Sequence, residues 1–256
     1  MEKNIIMRQI SNPGLSFTDN INDKIILMSE VIFRNSNLVM NYQEFQNYII
    51  QKNIFSGSYI RSFIPFLYNL GLINNYREIN FSTFFTKLGL SYIEIIKTIK
   101  VANHSNEKLD DIKKSLNTIK NDIIVLGLLN MKDSISEYFD KYCDILQFIK
   151  KYNTINREEF NILQFCKQNH LDDHEYITSY RANPENFKIS ILDNRNEIVD
   201  YRTNNAYNYF IALLSEEQCN FVIKANQNNY RLNYNRISLI DSILSERVAK
   251  KGENHE

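Results

Sequence analysis

The sequence is poor in the residues that let a backbone bend sharply or approach a ligand closely. It has 6 Gly, 3 Pro and no Trp in 256 residues. Dinucleotide-binding turns and P-loops need glycine where the main chain meets phosphate. Neither GxGxxG nor GxxxxGK[ST] occurs, so those two modes of nucleotide binding are excluded. The composition also excludes a collagen-like or low-complexity chain.

Cysteine is scarce as well. Cys143, Cys166 and Cys219 are odd in number and widely spaced, which is not a disulfide framework. Long apolar runs are missing: Ile123–Leu129 falls far short of the ~20 residues that span a bilayer. No apolar segment follows Met1–Lys3, and Arg8, Asn12 and Pro13 interrupt the early residues, so no secretory signal is expected. These absences predict a soluble, cytoplasmic chain in a reducing compartment, with no membrane partner. Neither charge sign dominates, since 30 Lys+Arg face 30 Asp+Glu. A purely electrostatic nucleic-acid binder is usually basic.

What the chain does have is amide, aliphatic and aromatic side chains. Asn and Ile number 36 each, Tyr and Phe 16 each, and 43% of residues are hydrophobic. AT-rich codons account for much Asn, Ile, Lys and Tyr. The same amides are suited to recognising bases or partner proteins. The length fits one large domain or two small ones.

Hydrophobic periodicity predicts a mainly helical fold. A first helix starts near Asp23, capped by Asn22 or Asp23, with Ile25, Ile26, Ser29, Ile32 and Phe33 on one face. A second runs from Tyr42 to Gln51, with Asn41 as N-cap and Glu44 in the capping-box position. Ser56–Ser58 reads as a turn. A third helix runs from Tyr59 to Leu70 and ends at Gly71. Pro65 inside it predicts a kink. Leu72–Ile73 and Tyr76–Phe81 then read as a short hairpin, and another helix begins near Leu90. Three helices followed by a hairpin is the winged-helix order.

The second half repeats this logic. A helix covers Ser136–Tyr152, and another follows Asn156, again with Glu159 in the box position. A helix capped by Thr203–Asn205 reaches about Ser215. Phe221–Lys224 and Tyr230–Tyr234 flank a polar turn as a second hairpin. A helix from Ile237 to Val248 closes the chain. The predicted organisation is a polar leader at 1–20, a first winged-helix domain at 21–105 and a connecting helix at 106–136. A second winged-helix domain follows at 137–236, with an insertion at 170–200, and then a C-terminal helix and charged tail at 237–256. The fold class is therefore mainly α with small β-hairpin wings: two winged-helix (helix-turn-helix) units joined by a long helix.

The run Gly57–Ile73, the short wing after it, and Phe85–Tyr92 resemble the winged-helix recognition subdomains of type IIS restriction endonucleases. Thr86, Gly89 and Tyr92 supply the Thr-x-x-Gly-x-x-Tyr spacing, and the similarity covers roughly 35 residues. The resemblance implies a DNA-recognition role. In that family a separate domain cuts DNA with a PD-(D/E)xK cluster. Here Asp111-Ile112-Lys113 matches only the tail of that motif, on a predicted helix, and Glu185-Asn186-Phe187-Lys188 has the wrong spacing. The resemblance therefore implies binding without cleavage.

A winged helix lays its third helix in the major groove and its wing against phosphate. The candidate contacts in the first unit are Ser58, Tyr59 and Arg61, with Arg77 on the wing. In the second unit they are Arg202, Asn204, Asn205 and Asn208, with Lys224, Asn228 and Arg231 on the wing. Arg reads guanine and Asn reads adenine through paired hydrogen bonds. No cofactor, metal or catalytic residue is expected. Cys166, His170 and His174 fall at i, i+4 and i+8, but Asn169-His170-Leu171-Asp172 looks like a helix end that scatters them. Asp110-Asp111 and Asp172-Asp173 read as caps and solvated charge.

The expected function is sequence-specific double-stranded DNA binding without catalysis, by a regulator or by the recognition module or subunit of a restriction or defence system. The alternative is an assembly subunit that clasps a partner protein, as tandem winged helices clasp the kleisin of chromosome-organising complexes, or that forms a homodimer. Tyr59, Tyr68, Tyr207 and Tyr209 would then serve as interface anchors.

Overall fold

The structure is a computed structural model that describes residues 3–12, 16–105 and 109–253. It is mainly helical. Capping chemistry sets the helix starts. α1 (Asp19–Arg34) begins where the Thr18 hydroxyl accepts from the Ile21 N–H. The sequence had placed this start at Asn22 or Asp23. Asn22 is instead buried in the helix, where its Oδ1 accepts from the Tyr92 hydroxyl at 2.8 Å. α2 (Tyr42–Gln51) has the expected capping box, with both Asn41–Glu44 bonds formed. α3 (Gly57–Asn69) starts earlier than the expected turn at 56–58 allows. Gly71 follows it in the left-handed region at φ +66, as its C′ position requires.

The first hairpin is not the expected one. β2 (Val39–Asn41) pairs antiparallel with β3 (Glu78–Asn80). Leu72–Ile73 pair instead with the chain around Phe85, through Ile73↔Phe85 and the Thr86 N–H to Leu72 O bond. Asn74 holds the intervening loop by donating its side-chain amide to Thr83 O and Phe85 O.

α4 (Lys87–His104) and α5 (Asp110–Ser134) form a long helical hairpin. The Thr-x-x-Gly-x-x-Tyr spacing acquires a structural meaning here. Thr86 caps α4 by accepting from the Gly89 N–H, and it donates to Gly71 O at 2.6 Å. Gly89 lets α4 approach the chain after α3 so closely that a Cβ would lie 1.9 Å from Leu72 O. Tyr92 is fully buried against Phe17. On the other side, α5 places Gly127 against Leu70, and Asn130 Nδ2 donates to Leu70 O at 3.2 Å.

The second half follows the order of the first. α6 (Ser136–Tyr152) leads through Ile155 into α7 (Arg157–Gln168), whose Asn156–Glu159 capping box is also complete. Later come α9 (Ala206–Leu214) and the antiparallel hairpin of β6 (Val222–Lys224) and β7 (Tyr230–Leu232). Ile155 bridges Tyr230 in β7, as β2 ahead of α2 bridges β3. α10 (Ile237–Glu253) closes the chain on α6, where Arg247 pairs with Asp140 and Asp144.

The segment at 170–200 contains α8 (Asp173–Ala182), β4 (Phe187–Leu192) and β5 (Ile198–Asp200). Arg181 on α8 grips the buried Glu159 at 2.6 Å and donates to Tyr152 O and Thr154 O. The expected polar leader contains a strand. β1 (Lys3–Arg8) runs parallel to β4, Lys3 opposite Phe187 and Arg8 opposite Leu192. Ile5 and Met7 are buried. Gln168 extends the register by bonding both the N–H and the C=O of Arg8. A parallel strand needs a distant partner, and this one lies 184 residues further along the chain. Residues 13–15 of the expected leader and residues 106–108 of the expected connecting helix lie outside the described residues.

The packing around Gly89 sets a testable contrast. Gly89→Ala drives a methyl into a backbone carbonyl and is expected to cost about 3 kcal/mol or more. Gly57→Ala meets only Ile50 Cδ1 at 3.4 Å in the first turn of α3. It is expected to be neutral or to stabilise by up to about 1 kcal/mol. Urea denaturation of the two variants measures the difference.

Candidate nucleic-acid interface

α3 buries Ile60, Phe63, Ile64, Phe66 and Leu67, which turns Ser58, Arg61, Ser62 and Tyr68 outward. No residue of α3 is acidic. Pro65 has no N–H for the carbonyl of Arg61, four residues earlier, so that oxygen loses its helical partner. Tyr42 of α2 supplies one: its hydroxyl lies 3.3 Å from Arg61 O and 3.4 Å from Ile60 O. Burial holds the Tyr42 phenol above its ordinary pKa, so it remains a donor. The chain thereby fixes the backbone beneath Arg61. Sequence reasoning missed Tyr42, although Pro65 announces an orphaned carbonyl that needs a donor.

Tyr59 is half-buried and stacks on Phe55 at 5.3 Å with an interplanar angle of 4°. It is partly a packing residue, not a free contact. Its pKa is pushed up to about 12, first by burial and then by the Tyr209 phenol. Arg77 is exposed, with its backbone N–H on Asn75 Oδ1 and its carbonyl on the Tyr42 N–H.

The second set of candidates is divided. Arg202 is exposed but clasps Asp200 through Nε and Nη2. This pair holds the Asp200 carboxyl down at about 2, by side-chain and then backbone hydrogen bonds from Arg202. Asn204 spends its amide on Ile10 O and the Ala206 N–H. Asn208 Oδ1 accepts from Arg157 at 2.7 Å. Asn205 is exposed and caps no N–H of α9 with its side chain. α9 itself is largely buried through Ala206, Tyr207, Phe210, Ile211, Leu213 and Leu214.

The β6–β7 hairpin is better disposed. Lys224, Asn228 and Arg231 are all exposed on it. Asn226 Oδ1 accepts from the N–H groups of Asn228 and Asn229 and from the Asn229 side chain, which shapes the tip. Among the described residues, no ion pair involves Arg61, Arg77, Lys224 or Arg231. Arg157, which holds Asn208 and lies over the Tyr207 ring, was absent from the sequence-based set.

The structure scatters the Cys166/His170/His174 set. Cys166 is buried in α7, and burial raises its thiol pKa to about 12. His170 sits beyond the helix at φ +55, and His174 on α8 stacks against Tyr152. Among the described residues no helix is long and apolar enough to cross a membrane. No known family model matches the chain, and neither a curated protein nor a solved structure matches it.

Two outcomes follow from this geometry. Tyr42→Phe leaves Arg61 O without its donor, so stability is expected to fall by about 1 kcal/mol, read from chemical denaturation. The second concerns alkaline pH. Burial raises the folded-state pKa of Tyr59, and of the fully buried Tyr92 and Tyr142, above the ordinary value of 10. A raised phenol favours the folded state below pH 10, and that contribution is lost as pH climbs through the folded value. Absorbance at 295 nm should show these phenols ionising at higher pH than the exposed tyrosines, together with loss of helical circular dichroism.

Proposed function

We propose that this chain binds double-stranded DNA without catalysing a reaction on it. The exposed face of α3 reads the duplex, and the β6–β7 hairpin holds its backbone. The observation that carries the proposal is that α3 presents two serine hydroxyls and a guanidinium to solvent, with no carboxylate on the helix. Helix, bridging segment, capping-box helix and further helix recur in both halves, followed by the Ile73–Phe85 bridge in the first and by the β6–β7 hairpin in the second. This order supports the tandem winged-helix reading and fits the likeness to type IIS recognition subdomains. The role it suits is the recognition module or subunit of a restriction or other defence system, or a regulator.

The two halves contribute unequally in this reading. Arg61 is the base-reading residue, and Ser58 binds phosphate near the start of α3. Lys224 and Arg231 neutralise phosphate from the hairpin. Arg202, Asn204 and Asn208 contribute little, because each must first give up a bond inside the chain. A second reading, the assembly subunit that holds a partner protein, has its own support. A groove of about 520 Å³ between α9 and the β6–β7 hairpin is lined by Ile211, Val222, Ile223 and Tyr230.

Salt titrations of duplex binding test the proposal. Arg231→Ala should reduce the slope of log affinity against log salt by about 1, through one lost phosphate contact. Arg61→Ala should cost about 1–3 kcal/mol on a preferred sequence. Arg202→Ala should change neither. Equal effects of all three variants would contradict the division of labour.

A further inference from the structure

A cleft of about 790 Å³ opens where α1, α4 and α5 meet the turn between α9 and β6. Asp19, Asp23, Glu216 and Glu217 line it, against Lys100 and Lys120. Four carboxylates face two ammonium groups and the His104 imidazole, so carboxylates outnumber the basic groups. Lys100 is committed to Asp23 at 2.6 Å. Lys120 is drawn towards Asp19 and Glu217, although burial disfavours its charge. Glu216 has no ion pair among the described residues. Phe17, Ile26, Ile96 and Ile99 add an apolar wall.

The two glutamates are held in place by buried amides. Asn121 Nδ2 donates to Glu216 O at 3.2 Å, and Gln218 Nε2 donates to Phe17 O at 2.9 Å. Asn121 lines the cleft, is only 6% exposed, and its Oδ1 has no hydrogen-bond partner. A buried acceptor without a donor is costly. The acidic excess and the unpartnered acceptor thus ask for the same thing, a cationic donor. An inorganic ion is poorly suited, because no group of three or more ligating side chains converges among the described residues. The carboxylates lie instead on separate elements around an apolar wall.

We infer that this cleft binds a small organic polycation, with ammonium groups carried on an aliphatic stem. The stem lies on Phe17, Ile26, Ile96 and Ile99. One ammonium group meets Glu216 and Glu217, beside Asn121, and another meets Asp19 and Asp23. Such a ligand joins α1, α4 and α5 to the α9–β6 turn. The inference stands apart from the DNA-binding proposal.

Calorimetric titration of the full chain with spermidine, at fixed ionic strength and without DNA, tests it. The wild type should bind at one saturable site. The Glu216→Gln/Glu217→Gln variant changes two exposed side chains and should bind at least ten-fold more weakly. The Glu185→Gln/Glu197→Gln variant removes the same charge elsewhere and should bind as the wild type does. No saturable binding by the wild type would overturn the inference. So would unchanged binding by the 216/217 variant, or equal weakening in both variants.

Discussion

Everything presented by α3 depends on how tightly its C-terminal end is gripped. Three of the six glycines meet there. Gly71 turns the chain in the left-handed region, Gly89 brings α4 onto Leu72 O, and Gly127 brings α5 onto Leu70. Any side chain larger than hydrogen at Gly89 would push α4 away from the strand segment that follows α3. In a chain so poor in glycine, this concentration marks the closest approach of its backbones. The reward is a fixed helix: buried on one side, pinned at its end, and supported at Pro65 by the Tyr42 hydroxyl.

The same helix that grips α3 also reaches the second half. α5 offers Asn130 to Leu70 O and, nine residues earlier, Asn121 to Glu216 O. Side-chain amides bonded to backbone carbonyls recur throughout the chain, at Asn74, Gln168 and Gln218. Many of the asparagines that look suited to base recognition therefore serve the fold. Asn204 and Asn208 are likewise bonded within the chain, whereas Lys224 and Arg231 of the hairpin make no ion pair among the described residues. A carbonyl or amide already bonded inside the protein reads DNA only by breaking that bond.

Local signals in the sequence were read well. The Asn41–Glu44 and Asn156–Glu159 boxes, the helix end at Gly71, the span of α6 and the β6–β7 hairpin all follow from contacts within a few residues. Long-range pairings were not legible. β1 has the right alternation, with Ile5 and Met7 inward, but its partner is β4, beyond residue 186. β3 was assigned to a hairpin with its sequence neighbour, whereas β2 takes that edge. In the candidate site, exposure was predicted correctly for Arg61 and Arg231. The occupation of Arg202 by Asp200 is only two residues away, yet it depends on a 3-10 turn that pattern reading does not see. Thr86, Gly89 and Tyr92 carried the resemblance, and all three serve packing and capping at the α3–α4 junction.

The most direct test is selection from a randomised duplex pool by the purified chain at physiological salt, followed by sequencing. The account predicts an enriched motif, and predicts that Arg61→Ala relaxes preference at one position of it. Retention only at low salt, with no enriched sequence, would contradict it and leave the partner-protein reading in its place.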